Sequence, residues 1–76
     1  MLELRAYFRT LSAWLTSVLE RGAEQGRFVL SGSAHDEAET FMATMHGAML
    51  SARAYGDPKV FEAIANPVIE RLVAPR

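Results

Sequence analysis

Apolar residues recur at helical spacing in three blocks that fill nearly the whole chain, and no stretch longer than Phe28–Leu30 reads as a strand. The first block holds Leu4, Tyr7, Phe8, Leu11, Trp14, Leu15, Val18 and Leu19. At the α-helical turn these residues form one stripe about 140° wide, which predicts an amphipathic helix over residues 2–25. Gly26 suits the left-handed stop after its last turn. Residues 27–30 form a short bridge, with Phe28 and Leu30 expected to tuck back under the helices. Ser33 then caps a second helix over residues 34–55, with Asp36, Glu37 and Glu39 near a helix start that favours negative charge. Its main stripe is Ala38, Phe41, Met42, Met45, Ala48, Met49 and Ala52. Gly56 ends it. Asp57-Pro58 starts a third helix at once, over residues 58–73, with Val60, Phe61, Ile64, Ala65, Val68, Ile69 and Leu72 on its apolar side. Pro67 should kink that helix after Asn66, and Pro75 marks its end. The expectation is an all-α chain of three helices in a single domain, residues 1–76, with the second and third helices near-antiparallel.

The chain is short for such a fold. A compact monomer of 8.4 kDa exposes roughly 4,600 Å², which leaves a marginal core. Chains of this size often need a staple or a partner. With no cysteine, disulfides and thiolate metal sites are excluded, and the composition fits a reducing, cytoplasmic setting. The formal net charge of -1 argues against DNA binding by this chain alone. No apolar run approaches the roughly 18 residues of a membrane span, so no membrane partner is expected.

The far side of the second helix carries the strongest functional signal. Ala43, Gly47, Leu50 and Ala54 lie about 150° round from the bulky stripe. Water-facing helix surfaces normally carry long polar side chains. Small residues instead let a second backbone approach, and a mid-helix glycine costs about 1 kcal/mol relative to alanine. The third helix also has a broad apolar face, from Val60 round to Ile69, and Phe61 and Ile69 on it are expected at the interface. These residues point to a homodimer in which the last two helices of each copy form a four-helix seam about a two-fold axis. The bland alternative is that the first helix, or a missing part of a longer protein, covers the same face.

The order of features resembles the carboxy-terminal part of the tetracycline-repressor (TetR) family of bacterial transcription regulators. The features are a long amphipathic helix, Gly26-Arg27-Phe28, an acidic helix start, Met45-His46-Gly47-Ala48-Met49-Leu50-Ser51-Ala52-Arg53, Gly56-Asp57-Pro58 with Phe61, and a final apolar helix. The resemblance covers about residues 10–73. It implies that the last two helices form the dimer interface as a four-helix bundle, and that the preceding long helix helps wall an effector cavity. It also implies an amino-terminal helix-turn-helix on operator DNA. That element has no counterpart in this sequence, so the chain is expected to hold about half of such a regulatory domain, as a fragment or a truncated product.

Chemistry is otherwise sparse. His35 and His46 stand about 16 Å apart along a helix and cannot share a metal. His35 and Glu39 are too few for a metal site, so no metal and no cofactor are expected. Glu39, His46 and Arg53 recur at seven-residue spacing, either as polar flanks of the seam or as a solvated edge. No nucleophile–base pair has a recognisable setting, so an enzyme is not expected. Tyr7, Trp14, Met42 and Met45 could line a pocket for a small hydrophobic or aromatic effector. Their bland reading is ordinary core. The function expected is the dimerisation and partial effector-binding module of a TetR-like regulator. The alternative is a free-standing, small helical dimeric adaptor with no ligand.

Overall fold

The computed structural model of the chain describes residues 2–73. It consists of α1 (Leu2–Glu24), α2 (Ala34–Tyr55) and α3 (Pro58–Leu72), with no strand beyond one isolated bridge among the described residues. The expected boundaries shift by one residue at two ends. Gln25 already belongs to the turn after α1, and Val73 caps α3 in an extended conformation. The helix end expected at Pro75 lies outside the described residues. α3 remains one helix through Pro67.

Local chemistry accounts for each boundary. After α1, Gly26 takes φ 76°, its N–H donates to Ala23 O at 3.1 Å, and the Arg27 N–H donates to Gly22 O at 2.8 Å. After α2, Gly56 takes φ 64°, and the Asp57 N–H donates to Ala52 O at 3.0 Å. Both are the paired bonds of a Schellman stop, which satisfy carbonyls the helix end would otherwise leave bare. Ser33 Oγ accepts from the Asp36 N–H at 3.1 Å. Asp57 accepts from the Lys59 N–H at 3.0 Å. Pro58, in the first turn of α3, loses no helical bond by lacking its own N–H.

The segment between α1 and α2 is tied down at three points. The Phe28 ring lies directly over Gly22, where any Cβ would overlap it. Phe28 pairs with Val73 as an antiparallel bridge, and the Val29 N–H donates to Leu72 O at 2.8 Å. Glu37 accepts from both the backbone N–H and the hydroxyl of Ser31, at 3.0 and 3.2 Å. The end of α3 is thereby returned to the start of α2, so these two helices run antiparallel.

The tertiary arrangement is a layer. α2 packs against α1 on one side and α3 on the other, and α1 and α3 do not pack together. The overall extents are 38 × 36 × 14 Å. A helix with its side chains is about 10–12 Å across, so the molecule is one helix thick. Such a layer has seams rather than a centre. Its buried apolar residues are Leu19 on α1, Ala38, Met42 and Ala48 on α2, and Ala65 on α3. Three of these are alanines, which add little apolar area. The accessible surface is 5848 Å², against roughly 4,600 Å² for a compact monomer of this mass. The surplus lies on two broad, open faces.

Candidate functional site

The first open face is built by α2. Ala43, Gly47, Leu50 and Ala54 are all exposed, and Leu50 is 69% exposed. A Cβ added to Gly47 would meet nothing within 4 Å. On α3, Ile69 is exposed and Phe61 half-buried. The residues expected at a dimer seam are therefore uncovered within the single chain. Neither α1 nor any other part of the described chain fills the space beside Gly47.

The second open face carries bulkier side chains. Leu4, Tyr7 and Trp14 are more than half exposed, with Trp14 at 60%. Met49 on α2 is also exposed. Ser12 and Leu19 are buried on the side of α1 that meets α2. Tyr7 and Trp14 lie round to one side of that line by helical rotation, and Arg5 and Arg9 to the other. The reading of Tyr7 and Trp14 as ordinary core is corrected here. In a layer one helix thick, an amphipathic stripe about 140° wide reaches beyond the single seam available to it. Met42 is buried in that seam and Met45 is half-buried. The four residues expected to form an effector pocket are thus split between the α1–α2 contact and the surface, and none of them lines the groove between α1 and the start of α2.

That groove lies between α1 and the start of α2, with a volume of about 770 Å³. Its lining includes the apolar Leu4, Phe8 and Ala13 and the cationic Arg5 and Arg9 of α1, with His35 and Glu39 of α2. Two hydroxyls border it. Thr16 Oγ1 donates to Ser12 O at 2.7 Å. Ser12 Oγ is buried and has no hydrogen-bond partner. An unsatisfied buried hydroxyl costs about 1–3 kcal/mol. Sequence reasoning singled out neither Ser12 nor the two arginines as site residues. The pairing of α1 with α2 makes them a site.

The polar edge of α2 turns towards this side. The His46 Nδ1–H donates to Met42 O at 2.7 Å, and its ring meets Phe8 edge-to-face at 5.3 Å. His46 thus supports the α1–α2 seam. Glu39 borders the groove, and Arg53 is exposed. Among the described residues, no group of three or more His, Asp or Glu side chains is placed to hold a metal ion. No described helix is long and apolar enough to cross a membrane.

These features define an all-α, three-helix layer with uncovered apolar surface on both sides. Such an arrangement is found within a solved transcriptional regulator of the TetR family from Agrobacterium tumefaciens. The two share 64% sequence identity over 96% of this chain, with a TM-score of 0.91. The chain spans 38% of that regulator's length. No family model matches the chain, and no curated protein matches it.

Proposed function

We propose that this chain is a dimerisation and partial effector-binding module of a TetR-family transcriptional regulator, with no DNA binding of its own. The observation that carries the reading is the open, small-residue face of α2 on a fold 64% identical to part of such a regulator. The two-fold seam joins Ala43, Gly47, Leu50 and Ala54 of α2, flanked by Phe61 and Ile69 of α3, to the same residues of a second copy. A standard protein interface buries about 800 Å² per partner. The chain's surface exceeds that of a compact monomer by roughly 1,200 Å², so one such seam and part of a second contact are available. Holding two protomers at a fixed spacing is what a two-fold operator requires of the DNA-binding heads. The near-neutral charge supports a module that leaves DNA contact to another part of the regulator.

The effector part of the proposal rests on the second face. Tyr7, Trp14 and Met45 form one wall for a small hydrophobic or aromatic molecule, and the remainder of the regulator supplies the opposite wall. Met42 backs this wall from within the seam. The role is regulatory and non-enzymatic, and the setting is the cytoplasm of a bacterial cell.

Sedimentation equilibrium over a wide dilution range tests the central claim. The expected result is a dimer at micromolar concentration that loses helical signal as it dissociates. A folded monomer at that concentration overturns the seam.

A further inference from the structure

α1 and α2 end on left-handed glycines that help satisfy their last carbonyls, and α3 has no such stop. Its cap is Val73, in extended backbone, whose N–H donates to Ile69 O at 3.0 Å. A helix leaves its last four carbonyls without internal donors. On α3 the Leu72 carbonyl is capped from a distant part of the chain. The Val29 N–H donates to it at 2.8 Å, and Phe28 forms a bridge with Val73. The strap that supplies this cap, residues 27–30, is itself hung on α1. The Arg27 and Phe28 N–H groups both donate to Gly22 O, at 2.8 and 3.3 Å, and the Phe28 ring lies over Gly22. Pro67 weakens the other end of the same segment. It has no N–H to give Ala63 O, so a helical bond is missing just before the last turn of α3. Residues 67–73 are thus loosened at one end and fastened at the other by an isolated bridge. That bridge lies at the surface, with Val29 53% and Val73 49% exposed.

From this arrangement we infer that residues 67–73 form a hinged clasp, held shut by the strap, and that shutting it completes the two-fold seam. The second half of the inference rests on the seam proposed above, whose α3 flank includes Ile69. Ile69 lies on the last turn of α3, between the Pro67 hinge and the Leu72 cap. With the strap seated, that turn is helical and Ile69 is presented at a fixed position. With the strap lifted, Leu72 O loses its donor and the turn frays from Pro67 onward, taking Ile69 with it. Surface backbone bonds with little packing above them open at the lowest free energy in a fold, so the clasp is the part of α3 that opens first. α1 and α3 do not pack against each other. The strap therefore gives the end of α1 a route to the seam that does not run through α2.

The test combines residue-resolved amide hydrogen exchange with sedimentation equilibrium on the full chain and its variants. Val29→Pro removes the N–H that caps Leu72 O and leaves the Phe28 ring in place. Val29 is exposed, so the fold should tolerate the change. Protection of the Ile69–Val73 amides should fall by about tenfold more than that of the Met42 and Ala48 amides in α2. Self-association should weaken several-fold. Phe28→Ala should give the same local pattern, and Phe28→Leu, which keeps an apolar side chain over Gly22, should restore much of it. Pro67→Ala added to Val29→Pro supplies the missing donor to Ala63 O and stiffens the hinge, so it should recover association. Protection lost evenly across all three helices overturns the clasp, as does a last turn that exchanges no faster in Val29→Pro. A last turn that opens while association holds overturns its control of the seam. An unaltered chain that sediments as a monomer counts against the seam itself, and exchange in the last turn then decides the clasp alone.

Discussion

Gly22 and Gly47 are both glycines inside helices, and each carries the same intrinsic penalty relative to alanine. Their surroundings differ completely. Gly22 is buried beneath the Phe28 ring, and a Cβ there would overlap it. Gly47 is exposed with nothing near it. The first glycine is explained within the single chain. It lets the bridge fold back onto α1, and that in turn sets Phe28 against Val73 and brings α3 home. The second has no such explanation inside the protomer. An open, small-residue face with a costly glycine at its centre is what a closely approaching second backbone would require.

The comparison can be broken experimentally. Gly22→Ala should have the largest effect, because the ring must leave its place and the Phe28–Val73 bridge goes with it. Overpacking of this kind costs about 1–3 kcal/mol, and the upper end is expected here. Urea denaturation measures it, and an unchanged midpoint would mean that Phe28 moves aside freely. Gly47→Leu should leave the protomer's helices intact and weaken self-association by about 2 kcal/mol. Sedimentation of that variant at several concentrations reads the effect directly. Unaltered association would place Gly47 outside the seam.

Two smaller effects sharpen the same contrast. Gly47→Ala should stabilise α2 by up to about 1 kcal/mol, since the added methyl meets open space within the chain. Circular dichroism of diluted, monomeric protein isolates that gain, and a loss instead would mean the chain itself uses the empty space. Trp14→Ala should cost about 1 kcal/mol or less rather than the 3–5 kcal/mol of a fully buried aromatic. Its side chain is mostly in solvent. A large loss in thermal melts would show that another surface, a second copy included, covers Trp14 in solution.

Much of this architecture was legible from residue order. Helix starts at Ser33 and Asp57 and stops at Gly26 and Gly56 are local events, decided within a turn or two by capping oxygens and left-handed glycines. The small-residue face of α2 was equally legible, because helical rotation alone sets Ala43, Gly47, Leu50 and Ala54 side by side. Other features were not. Glu37 read as a charge at a helix start, yet it also fastens Ser31. Gly22 carried no signal, because the ring it accommodates arrives from beyond the helix end. Tyr7 and Trp14 carried a core pattern without a core to enter.

The sequence by itself determined three helices, their ends and their apolar faces, since these follow from interactions between residues a few positions apart. Only the tertiary structure decided that α1 and α3 lie on opposite sides of α2 in a single layer. That choice depends on contacts between residues distant in the chain. It leaves Trp14 in water, and it buries Ser12 at the edge of a groove that Arg5 and Arg9 also line.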